Sequence, residues 1–182
     1  FKIPSGRNNV TKWMSFDGSD RVVFFENIID LESYALTGGS WTNSSFAMWN
    51  NVAGTGSYNC VVNNQFNNMS ERDFMLFYSM AYLVIEGNTV SNSSVGAGYG
   101  HGFYLKMSIE NATVRNNKSV GVLNNQKLVR LDSYVGANGR LMDNLEVCYN
   151  SYYKVSTGAA IASGDEAAAY GDARYIYRNS VV

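Results

Sequence analysis

Three acidic residues recur along the chain at wide intervals, Glu86, Glu110 and Asp143, separated by 24 and 33 residues. If strands stack so that these positions become neighbours, the carboxylates lie about 4.8 Å apart. At that distance they repel one another unless a cation or a proton intervenes. Two chemistries follow: a Ca²⁺ site, which takes several oxygen ligands at about 2.3–2.6 Å, or the acid pair of a retaining glycosidase, whose carboxyl groups stand about 5 Å apart. The bland alternative is a set of solvated acids relieved by nearby bases, and bases are close in sequence. Lys106 precedes Glu110, Arg140 precedes Asp143, Arg174 occupies the matching place further on, and Arg115 follows the next turn. As surface ion pairs they would contribute only about 0 to 1 kcal/mol each. The single histidine, His101, sits among glycines in Gly96-Ala-Gly-Tyr-Gly-His-Gly102, where it is either a proton shuttle or an exposed turn residue. Tyrosines are plentiful: Tyr78, Tyr82 and Tyr104 recur at similar spacing, and Tyr149, Tyr152, Tyr153, Tyr175 and Tyr177 crowd the end. Exposed rings on a flat ladder can stack on sugar faces, and buried ones pack on each other; Tyr82, Tyr104 and Tyr177 are the substrate-binding candidates. The phosphate-binding Gly-x-x-x-x-Gly-Lys-Ser/Thr loop and the Gly-x-Ser-x-Gly elbow are both missing from the sequence.

The composition limits the classes of function. With 182 residues, 46% hydrophobic and 14% aromatic, the chain reads as one globular domain over 1–182 rather than a disordered segment. A net charge of -1 supplies no field to gather nucleic acid or an anionic membrane, and no run of about 18 apolar residues is present. The expected partners therefore include neither nucleic acid nor membrane. Cys60 and Cys148 are too few for a disulfide scaffold. The opening FKIPSGRNNVTKW lacks the charged and apolar regions of a signal peptide, as a processed or excerpted chain would. The chain holds 22 Asn and a single Pro, Pro4. Asn suits turns because its amide replaces backbone partners and tolerates a left-handed conformation.

An internal repeat gives those turns a place. Ile85-Glu-Gly-Asn88-Thr-Val90-Ser-Asn92 is echoed by Ile109-Glu-Asn-Ala-Thr-Val114-Arg-Asn116, and earlier by Val61-Val-Asn-Asn64-Gln-Phe66 and Leu36-Thr-Gly-Gly-Ser-Trp41. Wider spacing leads to Met142-Asp-Asn144-Leu-Glu-Val147 and Ile176-Tyr-Arg-Asn179-Ser-Val181. Alternating residues in each copy signal a strand with one buried face. A repeat of this length without helical periodicity is what a parallel β-helix of about six to seven coils requires, since stacked coils build one continuous core. Leu36, Val61, Ile85, Ile109, Met142 and Ile176 are then expected to form one inner ladder, and Trp41, Phe66, Val90, Val114, Val147 and Val181 the next. Asn64, Asn88 and Asn179 are expected to stack at a turn, with amides bonded from coil to coil. This register turns Glu86, Glu110 and Asp143 outward as neighbours, and sets Cys60 and Cys148 three coils apart, about 14 Å, beyond the reach of a disulfide. An antiparallel sandwich also alternates, but does not require a fixed register. Asn-x-Ser/Thr acceptor patterns, Asn111 and Asn117 among them, fit chance in a chain this rich in both residues.

The repeat, with Val10-Thr-Lys-Trp13-Met-Ser-Phe16-Asp-Gly18, Asn88-Thr-Val90-Ser-Asn92 and Tyr177-Arg-Asn179-Ser-Val181, resembles the right-handed parallel β-helix proteins of the pectate-lyase-like superfamily, especially secreted polysaccharide lyases of the alginate lyase and chondroitinase B type. The resemblance spans most of the chain and implies an extracellular protein acting on an acidic polysaccharide by β-elimination. In such lyases Ca²⁺ or positive side chains neutralise the uronate carboxylate, and a Lys, Arg, His or Tyr removes the C5 proton. By that resemblance Lys106 is the candidate base and Arg140 or Arg115 the neutraliser or acid partner. His101 completes the catalytic candidates, and Glu86, Glu110 and Asp143 are the cation ligands. The same repeat also serves non-catalytic structural, adhesive or filament-forming proteins and glycoside hydrolases. Such enzymes carry a cap and further coils; this chain reads as an excerpt of a longer one, or as coils whose ends are covered by end-to-end self-association.

Overall fold

The computed structural model describes residues 12–18, 20–30, 44–49, 57–67, 73–93, 101–123, 127–133, 143–153, 161–165 and 174–181. The described residues are all-β, and every strand pairing among them is parallel. The strands are β1 (Lys12–Asp17), β2 (Val23–Phe25), β3 (Ile28–Asp30), β4 (Ser44–Trp49), β5 (Ser57–Val62), β6 (Gln65–Asn67), β7 (Asp73–Glu86) and β8 (Thr89–Ser93). They continue as β9 (His101–Arg115), β10 (Lys118–Leu123), β11 (Lys127–Ser133), β12 (Asp143–Cys148), β13 (Ser151–Tyr152), β14 (Ile161–Asp165), β15 (Arg174–Tyr177) and β16 (Ser180–Val181). Six strands form one sheet in the order β16-β13-β10-β8-β6-β3, and ten form a second that curls.

The curl has a visible cause. The first half of β7 pairs with β4 and its second half with β5. Likewise the first half of β9 pairs with β11 and its second half with β12. These two long strands fuse what the other repeats build as separate pieces, and each bends where the pieces join. At the β7 junction Ser79 is left-handed, with φ 54°, and just inside the second halves Arg21, Tyr58, Tyr82, Asn111 and Asn144 occupy one register row with φ between 49° and 70°. A second row of left-handed residues, Glu26, Asn63, Gly87, Asn116, Tyr149 and Arg178, turns the chain from the ten-stranded sheet into the six-stranded one. Between the two rows each repeat contributes a segment of only four residues, such as Leu83–Glu86.

Directly after the second row stands an asparagine ladder: Asn27, Asn64, Asn88, Asn117, Asn150 and Asn179. The Oδ1 of each accepts the backbone N–H and the Nδ2 of the one before, as in Asn88 N to Asn117 Oδ1 and Asn117 N to Asn150 Oδ1, at 2.9–3.0 Å. The amides also cap strand carbonyls: Asn117 Nδ2 donates to Ile85 O and Arg115 O, both at 2.9 Å. The inner members of the ladder are buried. A left-handed turn leaves backbone groups without strand partners, and the amides satisfy them where water does not reach.

The ladder confirms Asn64, Asn88 and Asn179 as stacked turn residues and adds Asn27, Asn117 and Asn150 to them. It also corrects the register. Val61 and Ile85 are neighbours, as are Phe66 and Val90, so the 24-residue step holds there. The next step is 29 residues: Ile85 stands beside Val114, not Ile109, and Glu86 beside Arg115. Val114 and Val147 are neighbours in this same row, and Ile176 follows Val147. The left-handed Asn111 reverses the side-chain parity, so Ile109 and Val114 both point inward although five residues separate them. Apolar matching alone cannot tell the two apart. Leu36, Trp41 and Met142 lie outside the described residues.

Inward residues of both sheets, including Phe46, Phe66, Phe77, Phe103, Leu83, Ile85, Val114 and Val147, form one apolar cluster. Phe16, Phe24, Phe46, Phe66 and Phe77 pack ring against ring through its first third, mostly tilted or edge to face, with centroids 5.0–6.4 Å apart. Cys60 and Cys148 are free thiols, as the repeat requires.

Candidate functional site

The four-residue segments between the two left-handed rows make a narrow outer face with a corner on either side. Alternation turns two residues per repeat outward, giving the rows Val23, Cys60, Val84, Thr113, Glu146, Tyr175 and Phe25, Val62, Glu86, Arg115, Cys148, Tyr177. The first repeats of this face are apolar and the last are polar and aromatic. That gradient puts the chemistry toward β9, β12 and β15.

Glu86 and Arg115 form an ion pair at 2.9 Å, and Asn116 Nδ2 donates to the other carboxylate oxygen at 3.3 Å. The hydrogen bond that Arg115 donates to Glu86, then the Glu86 charge, holds the guanidinium above its ordinary range. One row further, the Tyr177 hydroxyl donates to Glu146 Oε1, and that bond is the main cause of a raised Tyr177 pKa. Losing the proton would set a phenolate against the carboxylate. Tyr149 meets Tyr177 edge on at 5.8 Å, and Arg178 donates to the Tyr149 hydroxyl at 2.7 Å. Tyr175 stands exposed beside them.

The corner formed by Arg21, Tyr58, Tyr82, Asn111 and Asn144 is different in kind. Tyr58 and Tyr82 stack with ring centroids 4.7 Å apart and an interplanar angle of 3°, while remaining 58% and 48% exposed. Asn144 Nδ2 donates to Asn111 Oδ1 at 2.7 Å in the same row. Beneath them Asn59 is buried, with its Oδ1 accepting the Val22 N–H at 2.9 Å. The matching inward positions in later repeats are Leu83, Ala112 and Leu145.

The residues singled out in the sequence are dispersed by this geometry. Glu86 lies against Arg115, so the expected run of three carboxylates is split; Glu110 stands beside Asp143 and, on its other side, Ala81. Among the described residues no group of three His, Cys, Asp or Glu side chains gathers as a metal cage. Lys106 lies in the first half of β9 between Tyr78 and Asp132, 8% exposed and engaged with its surroundings. His101 begins β9 in register with Asp73 and Lys127, and Tyr104 pairs with Leu76 and Arg130. Both lie on a different part of the curled sheet from Arg115. Arg140 falls outside the described residues. Tyr152 faces inward and is buried, which pushes its phenol up to about 12. Asn117, within an acceptor pattern, is buried in the ladder. Tyr58 was not among the sequence candidates. Its signal is the 24-residue step to Tyr82, the same step that separates Val61 from Ile85. No family model, curated protein or solved structure matches the chain.

Proposed function

We propose that the chain is a right-handed parallel β-helix that binds an extended polysaccharide outside the cell, with acidic glycans the first class to test. What supports the fold is the combination of exclusively parallel pairing, two rows of left-handed corners and a six-member asparagine ladder at fixed register. The observation that carries the function is the exposed, parallel Tyr58–Tyr82 stack. Folding does not bury these rings, and aromatic surfaces that stay wet are suited to the apolar C–H faces of sugars.

Binding has more support than elimination. A base for β-elimination must reach substrate and release a proton near neutral pH, yet Lys106 is buried and engaged. Arg115 is paired with Glu86, and Tyr177 is held protonated by Glu146. Electrophoresis through gels containing alginate, pectate, chondroitin sulfate or dextran tests the reading, with retardation by at least one glycan expected. In parallel, absorbance near 235 nm is followed with the three acidic glycans, since elimination alone creates the unsaturated uronide. A rise there would replace binding with lyase action; migration unaffected by every glycan would overturn the reading.

A further inference from the structure

Left-handed backbone is ordinary for Gly and tolerated by Asn, but a bulky aromatic residue pays a steric penalty there. Tyr58 and Tyr82 adopt it at φ 70° and 57° in consecutive repeats. The same row is filled by asparagine at Asn111 and Asn144, which carry the bend without that penalty. Stacking on each other offsets part of that penalty, yet about half of each tyrosine stays exposed. Strain held at an exposed position that folding does not require is a mark of function.

The surroundings specify the ligand. One face of Tyr82 is covered by Tyr58; its other face turns toward the Asn111 side of the row. Asparagine is much shorter than tyrosine, so Tyr82 stands as a wall beside a lower floor of two amides. Asn144 gives one amide proton to Asn111 Oδ1, which leaves further donors and an acceptor for a ligand. An apolar wall beside an amide floor matches a pyranose ring, which has a C–H face and a rim of equatorial hydroxyls. Arg21 lies beyond Tyr58, two strand spacings from Tyr82, whereas Glu110 and Asp143 directly precede the two amides in the adjacent row.

We propose that Tyr82, backed by Tyr58, and the Asn111–Asn144 amide pair form a subsite for one pyranose unit of a polysaccharide running along the corner. This rests on the polysaccharide-binding reading and locates it. The test compares the wild-type chain with Tyr58→Asn/Tyr82→Asn and with Asn111→Ala/Asn144→Ala, in gels containing alginate, pectate, chondroitin sulfate, dextran or poly-L-proline. Circular dichroism and thermal melts report on the fold. The tyrosine variant, relieved of the left-handed strain, is expected to melt at or above the wild-type temperature and to lose about tenfold in affinity for the retarding glycan; the amide variant is expected to lose less. A glycan that retards wild type and tyrosine variant alike overturns the subsite and leaves the broader reading standing. Retention by poly-L-proline alone, or by nothing, overturns both. If the tyrosine variant does not fold, Tyr82→Phe and the amide variant decide: Phe keeps the wall and is expected to bind, and unchanged binding by the amide variant removes the floor from the subsite.

Discussion

The two corners flanking the short outer face share one backbone conformation and use it in opposite ways. At the ladder corner the residue after the bend is asparagine in every described repeat, buried and bonded to its neighbours on both sides in the middle of the row. At the tyrosine corner the residue after the bend is Val22, Asn59, Leu83, Ala112 or Leu145, and the bend residues themselves project outward. A buried turn must satisfy its polar groups internally, and few side chains do so. Bend residues at both corners are largely exposed. What differs is the residue after the bend, an amide bonded along the whole row at one corner and mostly apolar at the other.

The sharpest way to break this contrast is to remove one amide from each corner. Asn117→Leu leaves the Ile85 and Arg115 carbonyls and the Asn88 donors without their partner, and is expected to cost about 3 kcal/mol in urea unfolding. Asn144→Ala should stay within about 0.5 kcal/mol. Equal costs would end the distinction.

Next comes alkaline pH. Tyr152 lies inward on the six-stranded sheet, and burial raises its phenol from 10 to about 12. The folded state then holds a proton that the unfolded chain has lost. Its contribution, on the order of 2 kcal/mol, is complete below pH 10 and disappears as pH rises toward 12. Melts of wild type should fall across that window, and those of Tyr152→Phe should fall less.

A smaller effect is expected at Gly87, whose φ is +66° and where an added Cβ would collide with Asn63 Oδ1. The Asn63 side chain is exposed and can rotate away, so Gly87→Ala is expected to cost about 1 kcal/mol, the penalty of left-handed backbone. Smallest is the surface pair: Glu86→Gln should change stability by less than about 1 kcal/mol, and by less still in high salt. A larger loss would give the outer face a structural role that its exposure argues against.

The sequence made the parallel repeat and part of the ladder legible, because Val61 with Ile85 and Asn64 with Asn88 keep a regular 24-residue step. It misplaced the following repeat because that repeat is 29 residues long and bends at Asn111. Two inward residues on either side of a left-handed bend satisfy the same alternation rule, so Ile109 imitated Val114. The misstep carried Glu110 into the place that Arg115 occupies and produced a carboxylate row where the fold has an ion pair. An asparagine two residues before an inward apolar one marks the ladder in Asn64-Gln-Phe66 and Asn88-Thr-Val90, but in the misplaced repeat the inward residue after Asn117 is Ser119, which carries no apolar signal. The tyrosine pair was half visible: Tyr82 stood out by spacing, while Tyr58 lay in a stretch with little apolar pattern, and the exposure and strain of both are properties of the folded backbone.

The ladder has a further consequence for how the molecule can be cut. Register is counted from one asparagine to the next, and the intervals 37, 24, 29, 33 and 29 show that the count tolerates unequal loops. Excising residues 88–116 would join Gly87 to Asn117 and bring the Asn64 N–H to a new but equivalent acceptor. Strands β11 and β12 would then face the two halves of β7 directly. On the proposed β-helix reading stability is a sum over neighbouring layers, so the shortened chain should fold, melt lower, and keep every remaining interval intact. The protein is in this sense a ruler with removable divisions.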